Sequence, residues 1–144
     1  MLFRSAYLDV DVCVPAVGQG AIGITCLIDD ENANMRLAAL NHEPTVVRVT
    51  AERAFLAVLD GSCRTPIAAY AWYDGEATLR FHGLVAKPDG SVVHQVTRQG
   101  PANLTAAHSM GSDAGHELHG KIGPDFLVAT AHENSPTTAP LKKD

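Results

Sequence analysis

The sequence predicts an α+β fold: a three-stranded antiparallel sheet covered on one face by helices, preceded by a strand segment from an incomplete α/β lobe. Three observations carry this. Apolar residues recur at helical spacing from Val47 to Val58. The period then shortens to two between Ile67 and Arg98, with turn signals at Asp74-Gly75 and Pro88-Asp89-Gly90. A second helical pattern, Leu104, Ala107, Ala114 and Leu118, follows to cover the sheet.

The elements follow in order. The opening through Ile28 is apolar but broken by Pro15, Gly18, Gly20 and Gly23, and it reads as a strand or two whose partners lie outside this chain. Full cover for Val12 to Ile28 is not expected within so small a remainder. Asp29-Asp30-Glu31-Asn32 supplies N-cap formers and first-turn acids. Met35, Leu37, Ala38 and Leu40 then make a short helix ending near Asn41-His42. A second helix starts at Glu43-Pro44, where the missing proline N–H costs nothing, and Gly61 closes it. On that helix Arg48 and Glu52 sit four apart and can pair weakly.

Three strands follow. Ile67, Ala69, Ala71 and Tyr73 alternate with Ala68, Tyr70 and Trp72, and Asp74-Gly75 reads as a two-residue hairpin turn. Leu79, Phe81, Gly83 and Val85 alternate with Thr78, Arg80, His82 and Leu84, and Val92 to Arg98 makes the third strand. The last helix carries Gly111 and Gly115, both helix-weakening. The polar tail over 134–144 reads as loose.

Composition narrows the function. With 144 residues, 46% of them hydrophobic, and a net charge of -5, the chain suits one domain with a real core and lacks the basic face that nucleic acid demands. No stretch reaches the length of a membrane span, and Met1-Leu2-Phe3-Arg4 leads into no secretory apolar region. Three cysteines without paired spacing point to free thiols and a reducing, cytoplasmic setting.

Several motifs invite readings that their context does not support. Gly18-Gln19-Gly20-Ala21-Ile22-Gly23 matches G-x-G-x-x-G, yet Pro15 spoils the strand before it and Ile22-Gly23-Ile24-Thr25 is strand-like where a helix should begin. His116 and His119 are three apart rather than four, out of register for a zinc-protease helix, although His108, His116 and His119 share a rough face that could hold a weak metal site. A solvated polar face is the simpler reading, and no metal is expected. Cys13 and Cys26, set among apolar residues, read as inert small hydrophobes.

Cys63 differs. It lies in Asp60-Gly61-Ser62-Cys63-Arg64-Thr65-Pro66, between a helix end and a strand. Arg64 favours the reactive thiolate, while Asp60 and the negative helix pole oppose it. Taken alone, a structural loop thiol is the simpler reading.

Three blocks change that weighting. Val14-Pro15-Ala16-Val17-Gly18-Gln19-Gly20-Ala21, Val49-Thr50-Ala51-Glu52-Arg53-Ala54-Phe55-Leu56 and Gly61-Ser62-Cys63-Arg64-Thr65-Pro66-Ile67-Ala68 closely resemble hydroxymethylbilane synthase (porphobilinogen deaminase), in that family's order and spacing. Gly83-Leu84-Val85-Ala86 and Asp89-Gly90 continue the likeness, which runs from Pro15 to about Phe126.

The resemblance implies an enzyme that joins four porphobilinogen molecules, with loss of ammonia, into 1-hydroxymethylbilane for tetrapyrrole (haem and chlorophyll) biosynthesis. It implies a dipyrromethane primer held by a thioether to Cys63: the deaminated substrate is electrophilic, a soft thiolate captures it, and a thioether outlasts every elongation cycle. It makes Gln19 and the N–H of Gly20 candidate contacts to primer carboxylates, or else parts of a tight interdomain crossing. Arg53 becomes a candidate two-pronged carboxylate ligand, or an ordinary ion-pair residue. Ser62 is a candidate support for the primer.

By the same resemblance, residues 1–20 are the tail of a second domain and 21–41 a segment returning to a first. Residues 42–133 are the primer-carrying C-terminal domain, and 134–144 a loose tail. Family members are expected at about twice this length, with the catalytic aspartate and most substrate-binding cations in the part not represented here. Met1 to Asp11 departs from the family pattern. No catalytic residue is therefore assigned in this chain, the missing N-terminal half is its expected partner, and the chain is expected to be inactive alone, as a truncated or split product. Two other readings are a non-catalytic α+β binding module derived from the same domain and a nucleotide-dependent oxidoreductase fragment.

Overall fold

The computed structural model describes residues 8–59, 66–123 and 126. Its elements are α1 (Glu31–Ala38), α2 (Glu43–Val58), β1 (Ile67–Asp74), β2 (Thr78–Ala86), β3 (Val93–Pro101) and α3 (Leu104–Lys121). The strands form one antiparallel sheet in the order β1-β2-β3, the meander expected from the period-two pattern.

The alternation along the strands becomes the core. Ala69, Ala71, Leu79, Phe81, Val85 and Val96 are buried on one sheet face, where α2 brings Val47, Ala51 and Phe55, and α3 brings Ala107, Met110, Ala114 and Leu118. Phe55 meets Phe81 edge-on at 5.3 Å between ring centres, and its ring lies so near Gly83 that a Cβ there would sit 2.8 Å from Cζ. Gly83 is thus a strand residue kept small by the aromatic ring above it.

Gly111 and Gly115 of α3 have the same explanation. A Cβ on Gly111 would fall 2.0 Å from the Ala51 carbonyl oxygen, and one on Gly115 would fall 2.7 Å from Val58 Cβ. Their cost to helix propensity is offset by the close approach of α2 and α3, a tertiary effect that propensity alone does not reveal.

Some expectations shift at element ends. Asp74 stays in the ladder opposite Thr78, its carboxylate accepting from Arg80 Nε at 2.6 Å, so the first turn has the three residues Gly75, Glu76 and Ala77 rather than two. β3 runs on to Pro101 because Gln99, Gly100 and Pro101 still face Arg80, Leu79 and Thr78. α1 stops at Ala38, before Asn41, and Asp30 caps it by accepting from the Ala33 N–H at 2.9 Å. Gly61, expected to close α2, and the tail over 134–144 lie outside the described residues.

The opening departs most from expectation. Between residues 8 and 30 no strand forms among the described residues, since a strand requires a ladder partner and this segment makes a single backbone hydrogen bond to the sheet, Ala69 N–H to the Pro15 carbonyl at 3.2 Å. Its apolar side chains stand in the open as anticipated: Ile22 is 91% exposed and Ile28 90%. α1 buries none of its residues. Cys13 and Cys26, read as inert small hydrophobes among apolar neighbours, are exposed for the same reason, and the Cys26 thiol donates to Asn34 Oδ1 at 3.2 Å.

Candidate functional site

α2 turns three different faces to three neighbours, as helical spacing dictates. Val47, Ala51, Ala54 and Phe55 face the core. Val46, Val49, Thr50 and Arg53 face the segment from Gly20 to Ile24 across an open groove of about 630 Å³. Arg48 and Glu52 face the sheet edge and line a smaller cavity of about 250 Å³ with Gly18, Gln19, Gly20 and Tyr70.

The sequence-predicted residues distribute over these spaces. Gly20 belongs to both, and Arg53, exposed on α2, shares the larger groove with it, so the structure brings these two candidates together. Gln19 lies on the other side of the turn, in the smaller cavity, and its amide oxygen accepts from the Ala16 N–H at 3.2 Å. That leaves the side-chain NH2 as its donor toward a ligand. Both Gly18 and Gly20 hold left-handed backbone, at φ +70° and +85°, which explains why glycine flanks Gln19 on each side. Cys63 and Ser62 lie outside the described residues.

The larger groove offers donors suited to carboxylates: the Arg53 guanidinium, the hydroxyls of Thr45 and Thr50, and backbone N–H groups of the glycine turn. His42, the N-cap residue of α2, lies at its end with Nδ1 2.8 Å from Thr45 Oγ1. This donor set fits an acidic small molecule.

The place of one residue beside the site escaped the sequence reading. Glu52 is 6% exposed, and it makes no ion pair with Arg48. Its Oε2 accepts from the Gly18 N–H at 2.8 Å and its Oε1 from the Ala71 N–H at 3.0 Å. Arg48 instead donates to the Pro44 carbonyl and lies over the Tyr73 ring. Burial pushes the Glu52 carboxyl above its ordinary range, partly opposed by these two amide bonds and by the Arg48 charge. The available signal was its place beside the core stripe of Ala51, Ala54 and Phe55, which the four-residue spacing to Arg48 masked.

His108, His116 and His119 are exposed along α3, and among the described residues no group of three or more potential ligands converges on a metal position. Among those residues, too, no helix is long and apolar enough to cross a membrane.

Comparison with known proteins adds to this geometry. Residues 46–120 match the family model described as porphobilinogen deaminase, C-terminal domain. The chain is 52% identical over 123 residues to the chloroplastic porphobilinogen deaminase of rice, covering 85% of this chain and 34% of that protein. It is 49% identical over 120 residues to the chloroplastic pea protein, covering 83% and 32%. It is 43% identical over 124 residues to the porphobilinogen deaminase of the bacterium Nitrobacter winogradskyi, covering 86% and 38%. The chain thus spans about a third of the length of these relatives, a smaller share than the half expected from the sequence.

Proposed function

The chain belongs to the porphobilinogen deaminase family as its C-terminal domain, and from that we propose that it is the primer-carrying part of an enzyme that polymerises porphobilinogen. In this reading four substrate molecules are joined with release of ammonia into 1-hydroxymethylbilane. The dipyrromethane primer is attached through a thioether to Cys63, and its free pyrrole end is the group that elongation extends. The observation that carries the reading is the extended identity to the rice protein, which spans most of this chain.

The chain's own residues would bind and orient rather than catalyse. Arg53 holds primer or product carboxylates in a bidentate grip, and the Gly20 N–H donates from the opposite wall of the same groove. Gln19 contributes its side-chain NH2 from the other side of the turn. Ser62, next to the attachment point, supports the primer. The portion of the relatives that this chain does not span supplies the acid–base chemistry and covers the exposed apolar side chains of residues 8–41. The chloroplastic relatives make the chloroplast a second candidate compartment beside the cytoplasm.

The test is to express the chain alone and together with the preceding part of the rice relative, supply porphobilinogen, and measure intact mass and hydroxymethylbilane. The pair is expected to gain the mass of two pyrrole rings on this chain and to make product. Cys63→Ser is expected to abolish both. Product from the chain alone would overturn its expected inactivity, a Cys63→Ser pair that still makes product would overturn the tether, and a pair that gains no mass and makes no product would leave the non-catalytic binding module as the better account.

A further inference from the structure

We infer that Glu52 is a positioning residue: its carboxylate clamps the Val14–Ala21 segment against the open edge of the sheet and so fixes the turn that carries Gln19 and Gly20.

The argument begins with the edge of β1. In an antiparallel pair the amides of alternate residues point away from the partner strand. β2 serves one side of β1, which leaves the N–H groups of Ala69 and Ala71 directed outward. Ala69 donates to the Pro15 carbonyl, as if a fourth strand were beginning. The chain then turns at Gly18 and cannot supply the next carbonyl. Ala71 is 1% exposed, so water cannot supply it either. Glu52 Oε1 takes that place, and Oε2 reaches back to the Gly18 amide. One side chain on α2 thereby joins helix, sheet edge and crossing turn.

Two amide donors converging on one carboxyl make its charge state matter. The ionised group accepts both bonds without conflict, whereas the protonated group has an O–H to place and less acceptor capacity. Among the described residues, the charged and titratable neighbours are few. Arg48 lies one turn earlier on α2, Tyr70 stands on β1 in the same cavity, and the Val14–Ala21 segment has no titratable side chain. Among the described residues, a pH response of the clamp therefore belongs to Glu52. Its bearing on primer placement rests on the functional reading above; the clamp itself does not.

Amide NMR on the 144-residue chain without primer tests it. In wild type the Gly18 and Ala71 amide shifts are expected to titrate together, with one midpoint above the ordinary glutamate range. Glu52→Gln keeps the shape, removes that titration and leaves the Phe81 and Leu118 amides in place. Glu52→Ala lowers Ala71 hydrogen-exchange protection by about tenfold. Two separate midpoints, a titration that survives Glu52→Gln, or undiminished protection in Glu52→Ala would overturn the inference. No readout involves Cys63, so the clamp and the primer reading can fail independently.

Discussion

Phe55 and Ile28 are both large apolar side chains, and they meet opposite fates. Phe55 is wholly buried between β2 and α3, while Ile28 is 90% exposed. The contrast extends to their surroundings. Among the described residues from Glu43 onward the apolar stripes find facing stripes within the chain, whereas the stretch from Leu8 to Leu40 finds little beyond Val17 against the core, the Pro15 bond to β1 and the Glu52 clamp. Apolar content by itself does not make a core. It must be periodic on an element whose neighbour presents a matching face.

The largest expected effects test that contrast directly. Phe55→Ala removes the ring that packs on Phe81 and Gly83, and should cost about 3–5 kcal/mol in urea unfolding. Ile28→Ala should change stability by less than about 0.5 kcal/mol, since it removes almost no buried surface. Comparable losses at the two positions would mean that the opening segment is packed in solution, and the division between the two regions would have to be redrawn.

The sequence made the period-two strands and the stripe of α2 legible because both patterns repeat over many residues and one face of each is buried. What it hid came from single contacts between distant residues. Gly83 and Gly111 look like defects until Phe55 and Ala51 are placed above them, and Glu52 looks like half of a surface pair until the Ala71 amide arrives from β1. Gln19 and Arg53 are candidates only through the family resemblance; their placement around the glycine turn depends on the fold. A second substitution pair sharpens the lesson. Gly111→Ala forces a methyl onto a backbone carbonyl and should cost about 1–3 kcal/mol or more, while Gly120→Ala, on the same helix with nothing within 4 Å, should gain about 0.5–1 kcal/mol. If both gain, α2 and α3 are further apart than described.

The smallest effect separates two glutamates by the sign of their pH dependence. Glu117 on α3 accepts from Lys121 Nζ at 2.5 Å and from Arg98 on β3, and these two bonds hold its carboxyl down to about 2. A folded value below the unfolded one means that stability is present above the ordinary glutamate range and lost as pH falls through it toward 2. Glu52 is shifted upward by burial, so its increment has the opposite sign: present in acid, and lost as pH rises from the ordinary glutamate range through the folded value. Glu117→Gln should flatten the acid limb of a stability-versus-pH curve, and Glu52→Gln should remove the downward contribution on the less acid side. Because Glu117 and both its partners are substantially solvated, salt screens them, and the Glu117 effect should shrink at 1 M salt. The Glu52 effect should persist there, since burial of the carboxyl, which salt does not screen, is its main cause. An acid limb unchanged by Glu117→Gln, or a Glu52 contribution that salt erases, would show that the exposed and the buried carboxylate are not distinguished in the way their surroundings require.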